Sequence, residues 1–324
     1  MGSWVRPSRL RALGMLGMNR RNVEFINRYN PRHLYPLVDD KLKTKLLAQE
    51  FDVPTPRLQH VIREQHQIGM IEDKLSGSDG FVIKPAKGSG GKGILVITDQ
   101  QQGCFTRSSG SSIGITDIHR HATNVLAGLY SLGGAADVAI VEDLIEFDDC
   151  FEGYSFEGVP DIRIIVFRGY PVMAMLRLAT SASDGKANLH QGAVGLGLSL
   201  DTGRCLNAVQ DGRKITHHPD TGQSLSDIVI PNWRDILMLA ANCYEMTGLG
   251  YIGTDIVLDK SLGPQLLELN ARPGLAIQIA NGCGLLPRLR QIESRDRRKR
   301  PAPEQRVDYA MREFVSAADS VSVN

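Results

Sequence analysis

Residues 81–97, FVIKPAKGSGGKGILVI, set four glycines and three lysines between two short apolar, β-branched runs. The runs 81–83 and 94–97 read as strands, and Gly88, Gly90, Gly91 and Gly93 as the turn joining them. Glycine lets backbone N–H groups approach a ligand closely, and Lys84, Lys87 and Lys92 bring positive charge to the same place. A polyphosphate suits both properties. The spacing Gly88-x-Gly90-x-x-Gly93 meets the dinucleotide fingerprint, but that loop must open a helix, and ILVI at 94–97 is a poor, uncapped start. A Walker loop fails because Ala86 stands at its first glycine and Gly93 replaces the Ser/Thr after Lys92. A glycine-rich flap over nucleotide phosphates remains, beside the plainer reading of a glycine hairpin. Protein kinases use such a flap, yet the chain has no DFG, and residues 118–121 read IHRH rather than HRD.

The bulk numbers narrow the class. The 324 residues are 42% hydrophobic and 23% charged, with a formal net charge of +1. This is globular composition, enough for one large or two to three small domains, with no global attraction to nucleic acid. Cys104, Cys150, Cys205, Cys243 and Cys283 are scattered and form no C-x-x-C, which points to a reducing compartment and away from structural zinc or a disulfide framework. No run of about 18 apolar residues exists to span a membrane. The basic N-terminus (Arg6, Arg9, Arg11) lacks the apolar core of a signal peptide, so a cytoplasmic location is expected.

Along the chain, residues 1–38 read as a basic extension, with Leu10, Leu13 and Leu16 lining a short helix and Met18 as an alternative start. A helix over 41–51 is capped by Asp39 or Asp40, its apolar face formed by Leu42, Leu46 and Leu47. Residues 57–79 read as strand, helix and loop, 103–116 as a flexible Gly/Ser-rich insertion, 118–132 as helix and 139–145 as strand. Residues 161–167 and 171–178 form a hairpin around Arg168-Gly169. Residues 181–203 lead into another strand, 227–246 is helical, and 251–258 and 265–269 are strands. The basic run 288–300 reads as a solvated helix or tail rather than a docking patch.

The last hairpin carries the most geometry. If it is symmetric about residues 260–263, Asp259 faces Pro264 and Asp255 faces Glu268. Opposed carboxylates about 5 Å apart repel, which a divalent cation would resolve. Asn270, two residues past Glu268, points to the same face. Asp255, Glu268 and Asn270 thus offer hard oxygen ligands suited to Mg²⁺, with Mn²⁺ as the alternative ion; a solvent-facing polar strand edge is the bland alternative.

These features occur in a recognisable order: Lys84 and the glycine flap, VEDLI at 141–145, DIR at 161–163, NLH at 188–190, Asp255, and ELNARPG at 268–274. In that order the chain resembles ATP-grasp ligases, most closely the RimK-related alpha-L-glutamate ligase branch, over residues 39–287. The resemblance implies an α+β fold in which two antiparallel subdomains clamp the nucleotide, one of them a mobile lid over about 80–145, with 288–324 as a basic C-terminal helix or tail. It implies ATP and Mg²⁺ as cofactors. Lys84 would touch the α/β-phosphates, Lys41 and Lys92 would lie near the nucleotide, and Glu142 and Asp143 would form the hinge beside the adenine. Asp161 matches the acid of a D-x-R motif, and Lys186 and Asn188 the segment reaching the γ-phosphate. Asp255, Glu268 and Asn270 match the metal ligands. Arg163 and Arg177 match arginines placed for the acyl phosphate or the substrate carboxylate, unless they are only sheet-surface cations.

Two departures stand out. The Asp-Lys helix begins near residue 40, which leaves no room for the substrate-binding domain that usually precedes it in the family. Arg272 stands where relatives tend to have a small residue, and it could hold a carboxylate or phosphate in a bidentate contact. The activity implied is a carboxylate–amine ligase working through an acyl phosphate on small-molecule or peptide substrates. The alternatives are a phosphotransferase, a non-catalytic nucleotide-binding subunit, and nucleic-acid binding through 288–300. A homo-oligomer is compatible with the sequence.

Overall fold

Apolar residues at alternate positions, broken by Gly, Pro and Asn turns, resolve into thirteen strands among the described residues. In chain order these are β1 (Leu58–Ile62), β2 (Phe81–Pro85), β3 (Leu95–Gln101), β4 (Cys104–Arg107), β5 (Ser112–Gly114), β6 (Ala139–Asp143), β7 (Asp161–Phe167), β8 (Tyr170–Leu178), β9 (Val194–Leu198), β10 (Cys205–Gln210), β11 (Arg213–Ile215), β12 (Tyr251–Asp259) and β13 (Gly263–Asn270). The structure, a computed structural model, describes residues 5–75, 80–88, 90–101, 103–296 and 298–315. The expected loop at 76–79 and the end of the chain from 316 lie outside them. The strands form two antiparallel sheets, a six-stranded one ordered β1-β6-β2-β3-β4-β5 and a seven-stranded one ordered β11-β10-β9-β8-β7-β12-β13. The first belongs to a smaller unit of Asp39–Glu50 and Thr55–Glu146, the second to the larger remainder. This is the α+β arrangement that the resemblance implies, with helices packed on two antiparallel sheets.

In the smaller unit, Phe81, Ile83, Ile97, Phe105 and Val141 pack beneath Ile118, Ala122 and Val125 of helix Ile115–Leu126. The segment expected as a flexible insertion is instead the β4–β5 hairpin. Phe105, fully buried and edge-on to Phe81, and Ile113 tie it to the core, and this apolar content outweighs the Gly/Ser signal. Helix Lys41–Glu50 is capped by Asp40, whose Oδ1 accepts from the N–H groups of Leu42 (3.0 Å) and Lys43 (3.2 Å). Its buried face is Leu42, Thr44, Lys45 and Ala48, whereas Leu46, expected inside, is 43% exposed.

In the larger unit, helix Trp233–Thr247 begins six residues later than expected, because Pro231 and a left-handed Asn232 hold the preceding chain out of helix. Residues ahead of 38 pack into this unit. Leu16 is buried and exchanges backbone hydrogen bonds with the Gln278 carboxamide (2.8 and 3.1 Å), while Leu10 and Leu13 are exposed. Phe25 stacks edge-on to Phe167 at 5.5 Å. The buried Asn30 accepts from Tyr251 N–H (2.8 Å) and donates to the carbonyls of Tyr251 (2.7 Å) and Ala271 (3.1 Å), tying the N-terminal segment to the start of β12 and the end of β13. A chain started at Met18 would lose Leu16. The basic run is divided: Arg288 donates to the carbonyls of Val172 (2.9 Å) and Phe314 (3.1 Å), and Leu289 and Ile292 are buried, whereas Arg298, Lys299 and Arg300 are exposed. No helix of the described residues is long and apolar enough to cross a membrane.

Asn30→Ala leaves the Tyr251 N–H and two carbonyls buried without this partner. It should lower unfolding free energy in urea by about 1–3 kcal/mol; an unchanged midpoint would show that the N-terminal segment is held by its apolar contacts alone.

Candidate active site

Strands β8, β7, β12 and β13, which run from the middle of the larger sheet to its edge, bring six polar side chains to one face. Asp161 pairs in register with Arg177, Arg163 with Asp255, and Asp255 with Glu268. Residues two apart on a strand share a face, so the three pairs do as well. Arg163 grips Asp255 in a two-point contact, Nε to Oδ1 at 2.7 Å and Nη2 to Oδ2 at 2.5 Å. Arg177 donates from Nε to Asp161 Oδ1 at 2.6 Å and brings Nη2 within 3.0 Å of Asp255 Oδ2. Asn270 donates from Nδ2 to the same Asp255 oxygen at 3.3 Å.

The Asp255–Glu268 pairing arises differently from the symmetric hairpin. Asp259 pairs with Gly263 rather than Pro264, because Asp259 Oδ1 accepts from the N–H groups of Ser261 (2.9 Å) and Leu262 (2.8 Å) and tightens the turn by one residue. That register would set Leu267 opposite Asp255. A bulge between the pairs Ile256–Leu266 and Asp255–Glu268 leaves Leu267 as the extra residue and returns Glu268 to the position facing Asp255. Bulges of this kind re-aim side chains beside functional sites.

On the Asp255 side the charge is met by two guanidinium groups. Burial pushes the Asp255 carboxyl upward, but Arg163 and then Arg177 outweigh it and hold Asp255 below the usual carboxylate range. At Asp161 burial dominates, and with Asp255 nearby it lifts the carboxyl above that range despite Arg177. The difference follows from the contacts, since Asp255 has two guanidinium partners at hydrogen-bond distance and Asp161 has one. As donors for a hard cation, Asp255, Glu268 and Asn270 fit in kind: all carry oxygen, and the arginines keep Asp255 ionised. They are two carboxylates and an amide, and no group of three or more His, Cys, Asp or Glu suited to a metal occurs among the described residues.

Lys186 and Asn188 lie on a loop of the same unit. Lys186 pairs with Asp184 (2.9 Å) at the surface, and Asn188 Oδ1 accepts from His190 N–H (3.0 Å). Gly195, paired with Arg177, has no space for a side chain because Leu189 lies over it, and this sets the loop beside the arginine strand. Arg272 extends past the end of β13 with its guanidinium 5.0 Å above the Tyr35 ring.

In the smaller unit, Lys84 is buried and pairs with Glu142 at 2.5 Å. Lys45, which the sequence reading passed over, pairs with the other oxygen of Glu142 at 2.9 Å, so one buried carboxylate sits between two buried ammonium groups. Burial lowers the basicity of Lys45 against the pull of Glu142. Lys45 was visible as the residue four past Lys41 on a helix, hence on the same face. Lys41 Nζ donates to Gly88 O of the glycine turn (2.7 Å), and the Asp137 carboxylate accepts from Lys87 N–H (2.9 Å) at the entry to that turn. Lys92 is exposed. Asp143 is held by Arg57 (2.8 Å) and Gln59 (2.7 Å); burial would raise its carboxyl, but these hydrogen bonds outweigh it. The Glu142 side chain is therefore committed to lysines and the Asp143 side chain to Arg57 and Gln59.

The family model described as sugar-transfer associated ATP-grasp matches residues 20–294. No curated protein matches the chain in sequence. Among solved structures, D-cycloserine synthetase DcsG is 14% identical over 82% of this chain and 72% of its own, with TM-score 0.48. The ATP-grasp ligase PsnB complexed with minimal precursor is 13% identical over 81% and 60%, with TM-score 0.43. The D-alanyl-alanine synthetase A of Vibrio cholerae is 10% identical over 87% and 66%, with TM-score 0.45. The chain spans about 60% of the length of PsnB.

Arg163→Met leaves Asp255 buried with half its charge partners and should cost about 3–5 kcal/mol of stability near neutral pH. A carboxyl with a depressed folded pKa stabilises above its ordinary pKa, and that contribution is lost as pH falls through the folded value. The deficit of the mutant should therefore shrink below about pH 4. A deficit constant from pH 7 to 3 in denaturant titrations would assign the loss to packing.

Proposed function

Since the chain belongs to the sugar-transfer associated ATP-grasp family, we propose that it is an ATP- and Mg²⁺-dependent carboxylate–amine ligase that forms an amide through an acyl phosphate. The observation that carries this reading is the clustering of Asp161, Arg163, Arg177, Asp255, Glu268 and Asn270 on one sheet face. Buried ion pairs replaced by apolar residues are often no less stable, so such a group is retained for chemistry more readily than for folding.

The roles follow from the donors each residue offers. Lys84 and Lys41 bind phosphate oxygens, and Glu142 with Lys45 fixes the Lys84 ammonium in place. Lys92 and Lys186 are flexible cations able to reach terminal phosphate oxygens, with Asn188 shaping the loop that carries Lys186. Near the adenine, the backbone of Glu142 and Asp143 supplies recognition, because their side chains are engaged elsewhere. Asp255, Glu268 and Asn270 would hold Mg²⁺, which neutralises phosphate charge when bound. Arg163 and Arg177 orient Asp255, and Arg177 with Asp161 sets the charge beside the reacting groups. A substrate carboxylate attacks the γ-phosphate, the bond to the ADP oxygen breaks, and the acyl phosphate passes its acyl group to an amine with release of phosphate. The protein's part is positioning and charge stabilisation, with water kept from the intermediate by the glycine turn.

The order of motifs shared with RimK-related ligases favours an amino acid or peptide as one substrate. The family's description adds amino sugars and sugar acids to the compounds to be tested. With ATP and Mg²⁺, the protein should release ADP in an amine-dependent manner and yield a product heavier than its carboxylate by the amine less water, read by mass spectrometry. Glu268→Ala and Lys84→Ala should each slow ADP release by about 10²–10³-fold. Amine-independent phosphoryl transfer to a stable product, or near-normal turnover in either mutant, would overturn the assignment.

A further inference from the structure

Asn22, Ile26, Asn27, Arg32, Tyr35 and Arg272 line a cavity of about 600 Å³ within the larger unit, of a size that suits a small-molecule ligand. Two guanidinium groups face it, and no carboxylate lines it among the described residues. Among the described residues no acid pairs with Arg32, whereas Arg20, Arg28 and Arg290 nearby in the segment and its packing partner are all matched to Glu24 or Glu293. Behind the wall, the buried Arg21 donates from Nε (3.1 Å) and Nη2 (2.8 Å) to Asn22 Oδ1 and from Nη1 to Pro273 O (2.6 Å). The Asn22 oxygen is thus taken, and the end of that amide left for a guest is its NH₂ donor.

The backbone is shaped to make this wall. Helix turns run Met18–Arg20, then a π-helical Arg21–Ile26, then Asn27–Tyr29. Asn27 N–H donates to Asn22 O, an i to i+5 bond. In an α-helix residues five apart diverge; the π-turn brings Asn22 and Asn27 onto one side with Ile26, and such turns recur at functional sites. The opposite wall is fixed by the stacking of Arg272 on Tyr35. Arg272 follows Asn270 by two residues, a span of at most about 7 Å, and Asn270 touches Asp255.

We propose that this cavity is an anion subsite that holds the carboxylate or phosphate of a small polar substrate, with Arg32 and Arg272 on the anion and the Asn22 and Asn27 amides as further donors. Its role, anchoring one of the two ligated substrates by a group that does not react, rests on the ligase reading; the binding itself does not. The test is calorimetric titration of the full chain with inorganic phosphate and, separately, with glutarate, each with and without ADP–Mg²⁺. One of the two should bind with a stoichiometry of one. Arg32→Gln should weaken it about tenfold or more, and Asn27→Leu should weaken it measurably, with both variants keeping the wild-type melting temperature and ADP affinity. Preference for phosphate or glutarate identifies the source of the anion. Failure of both to bind, or binding that Arg32→Gln leaves intact, overturns the subsite. Anion binding in a protein that does not take up ADP–Mg²⁺ would leave the subsite standing and remove the ligase role.

Discussion

The two-point contact between Arg163 and Asp255 is the constraint around which the larger sheet is arranged. Asp255 is buried and Arg163 mostly so, and the carboxylate would be costly there without a cation beside it. Their register on β7 and β12 makes the contact, Arg177 on β8 supplies the second cation, and Asp161 balances Arg177 in turn. Each charge in this chain of contacts is desolvated, and each is tolerable only because the next strand contributes its opposite. Such a row forbids slippage, since shifting any one strand by a residue would turn its charges to the other face and leave the rest unpaired.

Much of this was legible in the sequence, and the failures have local causes. The hairpin of β7 and β8 followed from apolar runs around Arg168-Gly169, and the pairing of Asp255 with Glu268 followed from assuming a symmetric turn. The second inference succeeded through two departures that cancel: Asp259 tightens the turn by one residue, and a bulge at Leu267 restores it. Neither is visible to a rule based on strand period. The sequence suggested a cation beside Asp255; the structure adds two arginines from the neighbouring strands, which a reading confined to one hairpin does not see. The β4–β5 hairpin was hidden by its serines and glycines, and Phe105 and Ile113 were the signal against them. Lys45 was missed for a related reason, since attention to the leucines of helix Lys41–Glu50 left its place on the buried face unread.

The stretch ahead of the Asp-Lys helix shows how composition misleads when packing is not known. Its arginines gave it the look of a basic extension, yet Leu16, Phe25, Ile26 and Val38 are core residues and Asn30 bonds to two strand ends. What makes the segment polar to the eye is the wall it presents at Asn22, Asn27 and Arg32.

Each unit holds a cluster in which one buried carboxylate is shared between two cations. In the smaller one a single carboxylate, Glu142, serves two ammonium groups, and burial already lowers the basicity of Lys45. In the larger one Asp255 is met by Arg163 and Arg177, and Arg177 also pairs with Asp161. In both, one carboxylate fixes two cations in place, so removing it would leave two positive charges facing each other in a poorly solvated setting.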